Sequence, residues 1–156
     1  QLLDAAIKQT RTLTFELHPA VLDDLGLGAG LRWLSKEMGR QASTEITVRE
    51  EGKAKPLSKA VASYIFRSVK ELINNSIKHG KASEVVVTIF WWPKKVRATI
   101  DDNGSGFDPA AAVRGLGLAG IDERISTLGG SVNIESAPAQ GCRVMIDVPL
   151  EIGAST

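Results

Sequence analysis

Residues 71–79 read Glu-Leu-Ile-Asn-Asn-Ser-Ile-Lys-His and carry a carboxylate (Glu71), a carboxamide (Asn75) and an imidazole (His79) at steps of four. On a helix these three side chains share one face. A carboxamide oxygen is a hard, neutral ligand, suited to Mg2+ when phosphates supply the other oxygens. Lys78 is a point charge of the kind that meets phosphate, and Glu71 can accept a proton or orient water. Farther along, Asp102-Asn103-Gly104-Ser105-Gly106 puts an acid at the end of an apolar run and at the head of a glycine-rich turn. That carboxylate can accept a hydrogen bond from an exocyclic amino group. Gly104 and Gly106 allow a backbone to approach a flat base with no Cβ in between. Together the two stretches are expected to form a site for a purine nucleotide and its metal ion.

Each feature has a plainer explanation. Glu71, Asn75, Lys78 and His79 suit a solvated polar stripe, but two consecutive Asn residues are a poor choice inside a helix unless one is used. Asp102 to Gly106 suits a tight turn. A calcium loop is the rival functional reading, with Asp101, Asn103 and Ser105 alternating as oxygen donors; it lacks the terminal bidentate Glu, where Ala112 stands instead. Gly115-Leu116-Gly117-Leu118-Ala119-Gly120 matches a dinucleotide fingerprint by letter, yet a loop-like segment precedes it rather than a buried strand. It still offers a glycine-rich opening to a helix whose N–H groups favour phosphate. His18 precedes Pro19 and reads as a helix-terminal residue rather than a nucleophile. Cys142 reads as structural, and Trp33, Trp91 and Trp92 as core or edge packing.

The elements that must position these groups follow from periodicity. Residues 2–17 have helical spacing up to Pro19, and Asp23-Asp24-Leu25-Gly26 reads as a break. A second helix is predicted over 28–42 and a half-buried strand over 45–49. Ser58 can cap the longest helix, which runs through His79 with Gly80 at its stop, and Val61, Ile65, Val69, Leu72, Ile73 and Ile77 form its apolar stripe. Strands over 85–92 and 96–100 flank a turn at 93–95. Residues 101–117 read as loop, 118–128 as helix, and 131–136 and 143–150 as two further strands. The pattern predicts an α+β fold, a two-layer sandwich with helices packed on one face of a mixed, mostly antiparallel sheet.

Bulk composition narrows the function classes. The chain has 156 residues, 43% hydrophobic, which suits one domain with a real core. Nineteen basic against eighteen acidic residues leave a net charge of +1, with no global field directed at nucleic acid. One cysteine excludes an internal disulfide framework and points to a reducing compartment. No apolar run approaches the ~20 residues that span a bilayer. Gln1 falls inside a helical pattern, so a longer parent is expected, whose membrane anchorage this stretch does not address.

The three boxes in order resemble the catalytic, ATP-binding domain of sensor histidine kinases, within the group shared with gyrase, the large heat-shock chaperone and mismatch-repair ATPases. Residues 71–79 resemble that family's N box, 102–107 its first glycine box and 115–118 its second; 141–150 are similar to its last hairpin strand. Residues 17–27 are similar to the junction in the nitrate-sensor-like subfamily, where the second dimerisation helix meets the catalytic domain. The resemblance implies ATP lying between the long helix and a mobile lid of residues about 103–117. It implies that Asn75 binds Mg2+, that Lys78 and His79 face phosphates or ribose, and that Asp102 reads the adenine amino group. Gly104 and Gly106 would shape the base pocket, and Gly115, Leu116, Gly117 and Leu118 the phosphate-side lid. Glu71 is the expected catalytic residue.

On this resemblance residues 1–25 are the end of a dimerisation helix and its junction, 26–150 the ATP-binding domain and 151–156 a tail. The implied function is donation of the ATP γ-phosphoryl to a histidine on a dimerisation helix upstream of Gln1, for relay to a response regulator. The full-length kinase would be a homodimer, with this domain in the cytoplasm and touching neither nucleic acid nor membrane. Cys142 stands where the family usually has threonine, and His18 where the subfamily usually has arginine. The alternatives are an anti-sigma-type serine kinase or related ATPase, and a non-catalytic partner-binding module with the same fold.

Overall fold

The computed structural model describes residues 20–107 and 118–150. Helix α1 (Ala20–Leu25) and helix α2 (Leu27–Ala42) are separated by Gly26 alone, whose φ of 91° suits glycine. The break expected at 23–26 is therefore confined to one residue. Asp23, Asp24 and Leu25 are helical, because Leu22 needs α1 to reach the core, where it is 3% exposed. Strand β1 (Glu45–Glu51) follows, then helix α3 (Lys59–Lys78), strands β2 (Glu84–Trp92) and β3 (Lys95–Asp102), helix α4 (Leu118–Thr127), and strands β4 (Ser131–Ser136) and β5 (Cys142–Pro149). The helical pattern over 2–17, most of the expected lid and the tail from 151 lie outside the described residues.

The five strands form one mixed sheet in the order β1-β2-β3-β5-β4. Only β1 and β2 pair in parallel; the other three pairings are antiparallel. Alternation along the strands sends Val85, Val87, Ile89 and Trp91 of β2, Val96, Ala98 and Ile100 of β3, and Val144, Ile146 and Val148 of β5 into the core. They meet Leu31 and Leu34 of α2, Ile65, Phe66, Val69, Leu72 and Ile73 of α3, and Ile121 and Ile125 of α4 in a single cluster. Each fully buried Leu, Ile or Phe contributes about 1.5–3 kcal/mol on transfer from water, so this face holds the layers together. The opposite face is polar and partly aromatic. Arg97 makes a two-pronged ion pair with Asp147, Arg143 pairs with Asp101, and the Phe90 and Trp92 rings stack with centroids 5.8 Å apart. The expected sandwich, with helices on one face, is the fold observed.

Two local details bear on the site. Ser58 caps α3 as expected, its hydroxyl accepting from the Val61 N–H at 3.2 Å. At the other end the stop works differently. The Asn75 carbonyl accepts from both His79 and Gly80, and the left-handed residue is Lys81 (φ 51°), not Gly80. Glycine is needed at 80 because a Cβ there would lie 2.9 Å from the Ser76 carbonyl oxygen. The other detail is the end of β3. The strand continues through Asp101 and Asp102, which the sequence places in a loop; Asp102 is paired with Val85 on one side and Cys142 on the other. A loop carboxylate would wander, whereas a strand-terminal one between two neighbours is fixed in place.

Candidate functional site

Beyond Asp102 the chain turns sharply back on itself. The Asp102 Oδ1 accepts from the Gly104 N–H at 2.9 Å, a local turn that orients the carboxylate. The Ser105 N–H donates to the Gly80 carbonyl at 2.9 Å, tying this turn to the end of α3. Gly104 has to be glycine there, since a Cβ would stand 2.5 Å from the same Gly80 oxygen. The sequence suggests that a ligand approaches Gly104; in the structure it is the α3 terminus that does. Asn103, an oxygen donor in the calcium-loop pattern, serves instead as a clamp between segments. Its Oδ1 accepts from the N–H groups of Ser83 and Glu84, both at 3.0 Å, and its Nδ2 donates to the Ser83 hydroxyl.

Facing Asp102 across the layers is the last part of α3. The Ser76 hydroxyl donates to Asp102 Oδ2 at 2.6 Å, a short, charge-assisted bond. The stripe that buries α3 thus carries one hydroxyl directly to the acid. Around this pair opens a cleft of about 130 Å³. Leu72, Asn75 and Ser76 line it from α3, with His79 and Gly80 just beyond. Ile100 and Asp102 line it from β3, Gly106 and Phe107 from the following loop, Leu118 from α4, and Cys142 and Val144 from β5. The walls are mainly apolar, with polar groups at Asn75, Ser76, His79 and Asp102. That combination suits a flat heteroaromatic ring, buried by its faces and read at its edge by a carboxylate.

The residues singled out from sequence fall into groups. Asn75, His79, Asp102, Gly106 and Leu118 are brought together around the cleft. Gly104 lies behind it, shaping the turn. Lys78 is exposed on the last turn of α3 and does not line the cavity. Glu71 lies one turn before Asn75 and pairs with Arg124 of α4 at 3.5 Å, outside the cavity lining. Gly115, Leu116 and Gly117, like His18, fall outside the described residues. Ser76, Phe107 and Cys142 line the cleft without having been read as site residues. The signal for Ser76 was present: a hydroxyl next to Asn75 on the apolar stripe of the longest helix.

Cys142 is half-buried beside Asp102. Burial pushes its thiol up to about 11, the Asp102 carboxylate adds to the effect, and a hydrogen bond with Ser136 opposes it. The thiol is therefore neutral and unreactive, a small apolar wall rather than a nucleophile. Among the described residues no three His, Cys, Asp or Glu side chains cluster to hold a metal ion. A metal here would need oxygens from a ligand, as Mg2+ does when it travels with phosphates. No described helix is long and apolar enough to cross a membrane.

A family model for the histidine kinase-, DNA gyrase B-, and HSP90-like ATPase matches residues 60–152, and the chain belongs to that family. It is 31% identical over 151 residues to the signal transduction histidine-protein kinase/phosphatase DegS of Brevibacillus brevis, covering 96% of this chain and 39% of that protein. It is 30% identical over 153 residues to the oxygen sensor histidine kinase NreB of Staphylococcus carnosus, covering 96% of this chain and 44% of that one. The chain thus spans about two fifths of the length of these relatives. Its fold is similar to the ATP binding domain of PrrB from Mycobacterium tuberculosis, with a TM-score of 0.61 at 23% identity, over 77% of this chain and 90% of that one.

Proposed function

We propose that this chain is the ATP-binding catalytic domain of a two-component sensor histidine kinase. Its work would be to hold Mg-ATP and present the γ-phosphoryl to a histidine on a dimerisation helix, from which a response regulator is charged. The observation that carries the reading is Asp102, fixed at the end of β3 in an apolar cleft and oriented by hydrogen bonds to both of its oxygens. An adenine ring fits such walls, and its amino group can donate to a lone pair that Ser76 and Gly104 leave open on this carboxylate. The family match and the two kinase relatives support the same reading.

The remaining assignments follow from the position of the base. With adenine at Asp102, the sugar and phosphates run toward the α3 terminus, where His79 lines the cleft and Lys78 stands exposed. Both suit phosphate or ribose. Asn75 would supply one hard oxygen to Mg2+, whose chemistry is to neutralise phosphate charge. Gly104 and Gly106 keep the base pocket in shape, and Gly115 to Leu118 would form the phosphate-side lid at the start of α4. Glu71 would exchange Arg124 for the reacting groups and orient them or accept a proton.

Phosphoryl transfer is mostly positioning and charge neutralisation, so a donor domain and a separate acceptor helix divide the work naturally. Residues 1–25 would join the acceptor helix to the ATP-binding unit of 26–150, and residues 151–156 would be a tail. The parent would work as a homodimer, with this domain in the cytoplasm.

Calorimetry with Mg-ADP tests the reading. The chain should bind, and Asp102→Ala should abolish the heat. No heat with either protein would leave a non-catalytic module with the same fold. Given radiolabelled ATP, the isolated chain should acquire no stable label; label on His18 would overturn the assignment of the acceptor to another segment.

A further inference from the structure

The adenine-reading acid does not stand alone, and its partner is unusual for its surroundings. Ser76 is 5% exposed, within a helix face otherwise occupied by Leu72, Ile73 and Val69. Its single hydroxyl proton has two acceptors in range, the Leu72 carbonyl at 3.1 Å and Asp102 Oδ2 at 2.6 Å. A hydroxyl donates once, and the shorter contact to an anionic oxygen takes the proton. Asp102 Oδ1 is meanwhile held by the Gly104 N–H at 2.9 Å. The carboxylate therefore receives one protein donor on each oxygen, from two directions, and cannot rotate without losing both. Each oxygen still has a second lone pair. Both Ser76 and Asp102 line the cleft, so the remaining acceptor capacity is available to a ligand.

We infer that Ser76 is a positioning and specificity-determining residue, which locks the Asp102 carboxylate as an acceptor-only edge selective for a base bearing an amino group. The inference rests on the adenine-nucleotide reading of the cleft. The discrimination is chemical. A 6-amino purine donates to the fixed oxygen. A 6-oxo purine would set its carbonyl oxygen against a carboxylate that has no proton to give and, held from both sides, does not turn away. Without the Ser76 hydroxyl the carboxylate gains a rotational degree of freedom and room for a bridging water, and both loosen the distinction. Ser76 also immediately follows Asn75, so one helical turn would set both the base-reading acid and the proposed metal ligand.

The test compares Mg-ADP with Mg-IDP, which differ at the 6-position, by calorimetry on the 156-residue chain. Wild type should prefer ADP by at least about ten-fold. Ser76→Ala should weaken ADP about ten-fold, the scale of one charge-assisted hydrogen bond, while IDP changes less than about two-fold. Ser76→Thr, which keeps the hydroxyl, should retain most of the wild-type preference. An equal loss for both nucleotides in Ser76→Ala, or an unchanged ratio, would reduce Ser76 to a packing residue and overturn the inference. Loss of preference in Ser76→Thr, with its melting transition intact, would do the same even if Ser76→Ala fails to fold. If wild type binds neither nucleotide, the nucleotide reading itself falls and takes this inference with it; if it binds both equally, the reading survives and the inference does not.

Discussion

Arg124 of α4 lies with its Nη1 3.5 Å from Glu71 Oε2 and 3.2 Å from the Ser68 hydroxyl, both on α3. The Glu71 side chain is 41% exposed and that of Arg124 25%, so solvent screens the ion pair and its net worth is small. Ser68 is fully buried, and Arg124 is the donor that reaches it. Glu71→Gln should therefore cost less than about 0.5 kcal/mol in urea denaturation, and Arg124→Ala about 1 kcal/mol. Glu71→Gln should leave Mg-ADP affinity within two-fold of wild type, since Glu71 does not line the cleft. If Glu71 serves the transfer step, phosphorylation of a supplied histidine-bearing dimerisation segment should fall by about 100-fold or more. Unchanged transfer would return Glu71 to a structural tie between α3 and α4.

The Cys142 thiol gives a pH signature with a definite sign. Its folded-state value is raised, to about 11, chiefly by burial. The folded protein thus holds this proton more tightly than the unfolded chain, whose thiol ionises near pH ~8.5. The contribution is fully present below that range and is lost as pH rises through 11. The urea midpoint of wild type relative to Cys142→Ala should be constant up to pH 8 and fall between pH 9 and 11. Iodoacetamide should alkylate this single cysteine at least about ten-fold more slowly at pH 8 than a free thiol. Mg-ADP should slow it further, because Cys142 lines the cleft. Fast alkylation insensitive to nucleotide would place the thiol elsewhere.

How far these features could be read from the residues alone depends on their range in sequence. The ends of α3 were legible at Ser58 and near Gly80, and the hairpin of β2 and β3 at Pro93 and Lys94, because capping and turn signals are local. Asn75 and Asp102 were legible as chemistry since their residue types are costly where they stand. The parallel pairing of β1 with β2 was not, because it joins segments 39 residues apart across a helix. Nor was the bond between Ser76 and Asp102, 26 residues apart, or that between Arg124 and Glu71, 53 apart. Helix α1 was masked by Pro19 and the Asp23-Asp24 pair, turn formers that burial of Leu22 overrides.

Glu50 shows a tertiary dependence of the same kind. Its Oε2 accepts from the Trp91 indole N–H at 2.7 Å, and its Oε1 from Arg32 Nη2 at 2.8 Å. Trp91 is 7% exposed, so removing the acceptor leaves a nearly buried N–H unpaired. Glu50→Ala should cost about 1–3 kcal/mol in urea denaturation, and Glu50→Gln, which keeps an acceptor oxygen, roughly half of that or less. Equal costs for the two variants would mean that the Arg32 ion pair, not the indole, carries the effect. Nucleotide affinity should be unaffected by either, as Glu50 lies away from the cleft.

Gly104 separates shaping the site from touching the ligand. A Cβ at this position would meet the Gly80 carbonyl oxygen at 2.5 Å and the Gly80 carbonyl carbon at 2.9 Å, and backbone cannot swing aside as a side chain can. Gly104→Ala must therefore push the 104–106 turn away from the end of α3, straining the Ser105 N–H to Gly80 bond and the Gly104 N–H to Asp102 bond. The expected stability cost is about 1–3 kcal/mol, typical of overpacking. The loss of Mg-ADP affinity should be about ten-fold or more, since Asp102 loses one of the two donors that orient it. The two effects must appear together, because one displacement causes both. A Gly104→Ala protein of wild-type stability but weakened binding would mean that Gly104 contacts the nucleotide directly, as the sequence suggests, rather than packing against α3.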